Sequence, residues 1–199
     1  MSQRQLSIFG AEAADPVPAD LAGLLAGPGE ILRMGGTARV SIVVAEAWRV
    51  HVLIAELAAR RLPANWLSTV DEKYRVRTAY TARLAPLAAA WQRGGTGKLP
   101  PPTFALDGRR LRLWALAAGA PDRTGYLLRL GPDDELCWAP VGSALAQLGL
   151  TGVLLSPGAG GPAYRIEGRR RLARLAELVG EPPALAPEGI WPAPPPPRQ

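Results

Sequence analysis

The sequence predicts an α+β protein in which the element order α-β-β-α-β-β-α occurs twice. Two observations support this prediction. Apolar segments with helical or strand-like spacing follow one another in the same order in the two halves of the chain. A segment rich in glycine and proline, residues 94–102, lies between the halves and has the composition of a linker. Since 48% of the 199 residues are hydrophobic, we expect a packed core.

The first repeat is predicted to span residues 18–94. Pro18 precedes its first helix, the apolar segment 19–27, which runs into a Gly-Pro-Gly sequence. Gly35 and Gly36 separate the next two apolar segments and supply the positive φ that a tight turn needs, so we expect a β-hairpin there. The elements predicted from this hairpin onward are strands at 30–34 and 37–44, a helix at 45–62, strands at 66–70 and 73–79, and a helix at 81–93.

The second repeat is predicted to span residues 108–180 and to follow the same order. Turns that contain glycine or proline separate its elements, as in the first repeat. The predicted elements are a helix at 108–119, strands at 126–130 and 135–139, a short helix at 142–148, strands at 152–156 and 163–167, and a helix at 168–180. Outside the repeats we predict a flexible N-terminal arm at 1–17, a linker at 95–107 and a mobile, proline-rich tail at 181–199.

The composition limits the possible classes of function. Lysine and arginine number 23 against 17 aspartate and glutamate residues, and the net charge of +6 favours an anionic partner such as nucleic acid. A single cysteine and a single histidine exclude a disulfide framework and a thiolate metal cluster, and they disfavour a zinc site or a Ser-His-Asp triad. No apolar run has the length of a signal peptide or a membrane span, so we expect a cytoplasmic, nucleoid-associated protein with no membrane partner.

Residues 21–29, Leu-Ala-Gly-Leu-Leu-Ala-Gly-Pro-Gly, resemble the LAGLIDADG motif of homing endonucleases and their regulatory relatives. Residues 113–121 resemble it more weakly, and each copy begins in the first helix of its repeat. The resemblance implies that the repeats are pseudo-symmetric, that their sheets form a saddle over double-stranded DNA, and that these two helices form the seam between them. Small residues four positions apart let helix backbones approach closely. The residues expected at this repeat interface are Gly23, Gly27, Ala115 and Gly119.

Both motifs depart from the family at the positions of its metal-binding acids. The family's nucleases carry an aspartate or glutamate just before the last glycine of each motif, whereas this chain has Pro28 and Ala120 there. Neither side chain can coordinate a divalent metal ion. The resemblance therefore implies a protein without catalytic residues, metal or cofactor, and we expect that it is not an enzyme. Glu30 and Asp122, two residues further along each copy, leave open an alternative in which they bind the metal of a nuclease.

Basic residues on the predicted strands indicate a DNA-binding face. Lys73, Arg75 and Arg77 alternate with Tyr74 and Val76, so they project from one face of their strand. The alternative is an ordinary solvated sheet face, on which lysine and arginine are common. The residues predicted to bind nucleic acid are Arg33, Arg39, Lys73, Arg75, Arg77, Arg129 and Arg165.

The N-terminal segment Gln5-Leu6-Ser7-Ile8-Phe9 resembles the short peptide with which bacterial replication and repair proteins dock on the DNA polymerase sliding clamp. In such a peptide Leu6 fills one apolar pocket, Ile8 and Phe9 fill another, and Gln5 sets the register. The resemblance implies that the sliding clamp is a partner. The alternative is that the three apolar side chains pack on the body of this protein.

Together these features predict a monomeric, non-enzymatic, DNA-binding accessory protein of replication or repair that is docked on the sliding clamp. Docking would raise the effective concentration of a weak DNA site. Three alternatives stay open: a transcription regulator with a degenerate homing-endonuclease fold, a clamp-directed metal-dependent nuclease, and a scaffold without a nucleic-acid partner. Trp191, in the proline-rich tail, either folds back on the body or belongs to a second docking peptide.

Overall fold

The computed structural model describes residues 15–92, 97–159 and 161–193, and the pentapeptide at residues 5–9 lies outside this part of the chain. Six α-helices and eight β-strands form within the described residues. In chain order they are α1 (Ala22–Ala26), β1 (Glu30–Met34), β2 (Thr37–Val44), α2 (Ala47–Ala59), β3 (Ala64–Ser68), β4 (Tyr74–Thr78), α3 (Ala85–Trp91), α4 (Gly108–Ala118), β5 (Gly119–Pro121), β6 (Gly125–Arg129), α5 (Glu135–Gln147), β7 (Val153–Leu155), β8 (Ala163–Glu167) and α6 (Arg169–Val179). The predicted order α-β-β-α-β-β-α therefore occurs in both repeats, although the first hairpin of the second repeat does not occupy the predicted residues.

Each repeat folds its four strands into one antiparallel sheet. The first sheet has the strand order β1-β2-β4-β3 and the second has β5-β6-β8-β7, so corresponding strands occupy corresponding positions. The turn between β1 and β2 contains Gly35, whose φ of 58° is the left-handed conformation that glycine adopts without strain. The predicted α+β class with two antiparallel sheets is confirmed.

One face of each sheet packs on helices. In the first sheet, Val40, Ile42 and Val76 are at most 3% exposed and belong to the same core as the helices. In the second sheet, Leu128 and Ile166 are fully buried in that core. Since side chains alternate along a strand, the residues between these positions project from the opposite, outer face. No helix in the described part of the chain is long and apolar enough to span a membrane.

The helices α1 and α4 pack closely against each other at two glycines. Gly23 lies within α1, and Gly27 directly follows its last residue. A Cβ atom on Gly23 would overlap the backbone carbonyl group of Arg110 in α4. A Cβ atom on Gly27 would lie 2.6 Å from Cδ1 of Trp114, which is also in α4. Both positions therefore require glycine for the two helices to approach this closely.

The two small residues expected at the interface from the second repeat have different surroundings. Ala115 is 1% exposed within α4. Gly119, the first residue of β5, lies against the hydroxyl group of Tyr126 on β6. The close approach at Gly119 therefore occurs within the second repeat, between β5 and the strand next to it.

The second repeat differs from the prediction at its first hairpin. Residues 135–139, which we predicted as a strand, form the first turns of α5, and the strand that pairs with β6 is β5. Proline usually ends a helix, yet Pro140 lies inside α5. Cys137, Val141 and Leu145, spaced four apart, are all buried, so the apolar face of the helix outweighs the hydrogen bond that Pro140 removes.

The segment 181–193 is anchored to the body of the protein at Trp191, whereas its proline content predicts a mobile tail. The side chain of Trp191 is 7% exposed, and its Nε1 donates to the carbonyl oxygen of Gly180 at 2.9 Å. Its ring lies 5.2 Å from the guanidinium group of Arg112 in α4, which also donates to the carbonyl oxygen of Glu181. Trp191 therefore folds back on the body, the first of the two alternatives considered for it.

Candidate nucleic-acid interface

The outer face of the first sheet carries four cations. Arg39 on β2 lies next to buried Val40, and Arg75 and Arg77 on β4 flank buried Val76, so these three arginines share the outer face. Lys73, directly before β4, continues the same alternation. We refer to Arg39, Lys73, Arg75 and Arg77 as the basic face.

Polar contacts position the two arginines of β4. Arg77 Nε donates to Oδ1 of Asn65 on the neighbouring strand β3 at 3.1 Å. Arg75 Nη1 lies 3.6 Å from Oε2 of Glu30, which opens β1. Both guanidinium groups are therefore held on the outer face by neighbours on the same sheet.

The basic face keeps a surplus of positive charge. Lys73 Nζ lies 2.7 Å from Oδ2 of Asp71, and its hydrogen bond lowers the pKa of that carboxyl group to about 2. The guanidinium group of Arg39 lies 4.8 Å from the centre of the Tyr80 ring, a cation–π contact that leaves its charge unneutralised. Four cations thus lie near two carboxylates, those of Glu30 and Asp71.

Arg33 lies on the other face of the first sheet. It is two residues from Ile31 on β1, whose side chain is buried on the helix side. Its partner across the β1–β2 ladder, Ala38, is fully buried. The structure therefore does not bring Arg33 together with the basic face.

The outer face of the second sheet is balanced in charge. Arg165 on β8 lies 2.5 Å from Oε1 of Glu167 and 3.7 Å from Oδ2 of Asp122. Arg129 ends β6 opposite Ala163, which is two residues from Arg165, so both arginines share this face. Since two arginines lie with two carboxylates here, the first sheet supplies most of the surplus positive charge.

A buried lysine from the linker closes the end of α1. Lys98 Nζ donates to the carbonyl oxygens of Gly27 and Gly29 at 2.5 and 2.6 Å and lies 2.9 Å from Oδ2 of Asp134. The side chain is only 5% exposed. Burial lowers the pKa of the Lys98 ammonium group, and the Asp134 carboxylate opposes that shift. One ammonium group thus joins the first repeat to the start of α5 in the second.

A buried arginine from α2 closes the end of α4 in the same way. Arg49 Nη1 donates to the carbonyl oxygen of Leu116 at 2.6 Å, and its Nη2 donates to that of Gly119 at 2.7 Å. Its Nε donates to the Glu46 carboxylate at 2.7 Å. Each of the two central helices therefore ends at a cation that binds carbonyl groups without intrahelical partners and complements the negative end of the helix dipole.

The ends of the central helices do not fit a divalent metal ion. Pro28 and Ala120 supply no side-chain oxygen, and the nearby carbonyl oxygens already accept hydrogen bonds from Lys98 and Arg49. Within residues 15–92, 97–159 and 161–193, no group of three or more His, Cys, Asp or Glu residues could hold a metal ion.

Glu30 and Asp122 occupy different places in the two repeats. Glu30 opens β1, where it accepts a hydrogen bond from Ser41 Oγ at 3.3 Å. Asp122 follows the end of β5, in the hairpin turn, where its backbone exchanges hydrogen bonds with Gly125. The two acids thus lie at opposite ends of corresponding strands, so their equal offset in the sequence does not produce a symmetric pair.

Lys98 and Arg49 were not anticipated from the sequence. Lys98 lies in the glycine- and proline-rich segment, whose composition indicates a linker and says nothing about buried partners. Arg49 lies inside the apolar helical segment 45–62, and its charge in that setting is the one sequence feature that could have indicated a buried partner. An arginine on the apolar face of a helix requires a buried acceptor, because a buried charge without a partner is very unfavourable.

Comparison with known proteins supports the fold. No family model matches the sequence, and no curated protein matches it. The solved structure of the homing endonuclease I-WcaI bound to its DNA recognition sequence is similar over 89% of this chain and 83% of that one, with 11% identity and a TM-score of 0.55. The structure of I-DmoI in complex with DNA and Mn is matched over 82% of this chain and 96% of that one, with 15% identity and a TM-score of 0.45.

The duplicated αββαββα architecture, with two central helices and two antiparallel sheets, defines the fold class. It is the fold of the LAGLIDADG homing endonucleases, as the motif at residues 21–29 implied, and at 11% identity the likeness shows the fold alone. The expectation that the protein is not an enzyme is contradicted by this comparison, because homing endonucleases are enzymes. That expectation rested on Pro28 and Ala120, which stand at the positions of the family's metal-binding acids.

Proposed function

We propose that this protein binds double-stranded DNA on the outer faces of its sheets, with the basic face as the main contact. The observation that carries the proposal is the surplus of positive charge on the basic face, where four cations lie near two carboxylates. Cations placed along strands neutralise backbone phosphates and release counterions, which supplies affinity that does not depend on sequence. I-WcaI, which has a similar fold, was solved with its DNA recognition sequence, and this supports the proposal.

Replacing Arg75 and Arg77 together with glutamine is expected to weaken DNA binding about tenfold or more. Each lost phosphate contact lowers the magnitude of the slope of log K against log salt concentration by about 0.9, so the double variant should lose about 2 from this slope. The measurement is fluorescence anisotropy of a labelled duplex of about 30 base pairs at several salt concentrations.

The matched control is the double variant Arg33→Gln/Arg61→Gln, which removes the same net charge. Arg33 lies on the helix side of the first sheet, and Arg61 follows the end of α2 on that side. We expect this control to bind DNA nearly as well as the wild type. Equal weakening by both double variants would mean that net charge alone matters, and unchanged binding by Arg75→Gln/Arg77→Gln would overturn the assignment of the basic face.

Because the fold is similar to that of a homing endonuclease, DNA cleavage is the second activity to measure, in the same mixtures of protein and duplex. Glu30 is a carboxylate that lies beside Arg75 on the basic face. Cleavage that requires Mg²⁺ or Mn²⁺ would assign nuclease activity to this chain. The variants Glu30→Ala and Asp122→Ala would then test these two acids as metal ligands.

We further propose that residues 5–9 dock on the bacterial sliding clamp and thereby place the protein at DNA replication or repair. The support is the pentapeptide Gln-Leu-Ser-Ile-Phe, whose apolar side chains suit a groove with two pockets and whose glutamine suits a polar contact. Docking through this peptide would add to a weak DNA site by raising its effective concentration on DNA that passes through the clamp.

The Leu6→Ala/Phe9→Ala protein is expected to lose binding to a purified bacterial sliding clamp, because both pockets would lose their apolar side chain. Titration of the clamp, followed by anisotropy or calorimetry, measures this loss. The same variant should keep the wild-type affinity for duplex DNA, which is the internal control. If the wild type itself does not bind the clamp at tens of micromolar, roughly the affinity range of such peptides, the docking proposal is wrong.

A preferred duplex sequence, with DNA binding unchanged by removal of residues 1–10, would favour a transcription regulator.

A further inference from the structure

Four arginines surround an open cavity at the start of α6. Three of them, residues 169–171, form the first turn of α6, and Arg174 follows one turn later. The cavity has a volume of about 670 Å³ and lies between this turn and the end of α5. We refer to it as the arginine pocket. Its main lining residues are Gly149, Glu167, Arg169, Arg170, Arg171 and Arg174.

The carboxylates near the arginine pocket already have cationic partners. Glu167, which lines the pocket, lies 2.5 Å from Arg165 Nε on the outer face of the second sheet. Glu177 lies 2.9 Å from Arg174 Nη1. Neither acid therefore neutralises the three consecutive arginines.

The first three arginines of α6 keep their positive charge. Arg171 Nη1 donates to the backbone carbonyl oxygen of Glu167 at 3.1 Å, a contact that leaves the charge uncompensated. Arg169 and Arg170 are exposed and form no ion pair with any acid in the described part of the chain. The pocket is therefore a concentration of positive charge that the folded protein does not balance.

The position of these arginines is unfavourable for the helix itself. The N-terminus of a helix carries a partial positive charge, and cations in the first turn add to it. Gly168, the residue that precedes the helix, offers no side-chain hydrogen bond to the first backbone N–H groups. A phosphate group in the pocket would offset the charge of these arginines, because its oxygens accept hydrogen bonds from guanidinium groups and its charge is opposite to theirs.

We propose that the arginine pocket binds the phosphate groups of a ligand, separately from the basic face. Guanidinium groups bind phosphate oxygens in a bidentate manner, and four of them border one cavity here. Two sources can supply such phosphates: a free oligophosphate compound, or the backbone of DNA that extends beyond the second sheet, since β8 leads directly into α6. The second source rests on the DNA-binding function proposed above, and the first does not.

The variant Arg169→Gln/Arg170→Gln tests the pocket, because neither side chain has an acid partner to lose. Calorimetric titration with inorganic pyrophosphate is expected to show binding by the wild type that weakens about tenfold or more in the variant. Anisotropy with labelled duplexes of about 15 and about 40 base pairs tests the other source, since only the longer duplex reaches well beyond the sheets. Loss of cations from a helix N-terminus should not lower the thermal unfolding temperature, which checks the fold of the variant.

Either of two results supports the pocket and identifies the source of its phosphates. Weaker pyrophosphate binding identifies a free phosphate compound, and a selective loss of affinity for the longer duplex identifies the DNA backbone. If neither changes, or if the control Arg33→Gln/Arg61→Gln causes the same changes, the pocket proposal is overturned. The variant Arg75→Gln/Arg77→Gln separates the two proposals, because it should weaken binding of both duplexes and leave pyrophosphate binding unchanged.

Discussion

The Gly23→Leu protein is expected to lose about 3 kcal/mol or more of its free energy of unfolding, a large part of the roughly 5–15 kcal/mol of a typical domain. A side chain at this position would overlap the backbone carbonyl group of Arg110, and backbone of the facing helix cannot rotate away as a side chain can. Leucine favours helix more than glycine does, so any loss reflects the packing of α1 on α4. Urea denaturation followed by circular dichroism measures the change.

The matched control for this substitution is Gly36→Ala, in the turn between β1 and β2. A Cβ atom there has no heavy atom within 4 Å, so we expect the stability to change by less than about 0.5 kcal/mol. A Gly23→Leu protein as stable as the wild type would contradict the close packing of the two central helices. Since this packing joins the repeats, the relative placement of the two sheets would then need revision.

Lys98→Met is expected to cause the second large loss of stability, about 3 kcal/mol. Methionine fills a similar volume, but it leaves the Asp134 carboxylate and the carbonyl groups of Gly27 and Gly29 without their donor. The Asp134 side chain is 23% exposed, so water can partly replace the ammonium group as its hydrogen-bond donor. The two carbonyl groups do not gain this replacement. Urea denaturation of the wild type and of the variant gives the midpoint of unfolding and the free energy of unfolding extrapolated to water, and the two proteins are compared in both.

The control for this substitution is Lys73→Met. Lys73 is exposed and paired with exposed Asp71, and ion pairs of this kind contribute less than about 1 kcal/mol. If both variants lost the same stability, the buried position of Lys98 would carry no special weight, and the role we assign to it at the end of α1 would be wrong.

The pH dependence gives a second readout of the Lys98→Met experiment. Burial lowers the pKa of the Lys98 ammonium group below the ordinary value of 10.5, so the folded protein binds this proton less tightly than the unfolded chain does. Between the lowered pKa of the folded state and 10.5, the unfolded state therefore holds more protons than the folded state. The free energy of unfolding rises with pH over this interval. The advantage of the wild type over Lys98→Met should therefore grow as the pH increases toward 10.5, and an advantage that shrinks would contradict the lowered pKa.

Local sequence signals were sufficient for most of the fold. The glycine pair at the first hairpin, the proline before the first helix and the alternation along β4 each depend on residues close together in the chain. The strand predicted at residues 135–139 was wrong, because these residues form the first turns of a helix that continues through Pro140. Only the burial of residues four apart, supplied by contacts with the rest of the core, decides in favour of the helix.

The sequence by itself determined the duplicated element order, the motif of the first central helix and the shared face of Arg75 and Arg77. These features follow from spacing, because the period of a helix or strand sets the direction of each side chain. The tertiary structure alone decided which cations remain available for a ligand. Arg49 and Leu116 are 67 residues apart in the chain, and Lys98 and Gly27 are 71 apart, yet each pair shares a buried hydrogen bond. The direction of a side chain is a local property, whereas the acceptor that it meets depends on how distant segments pack.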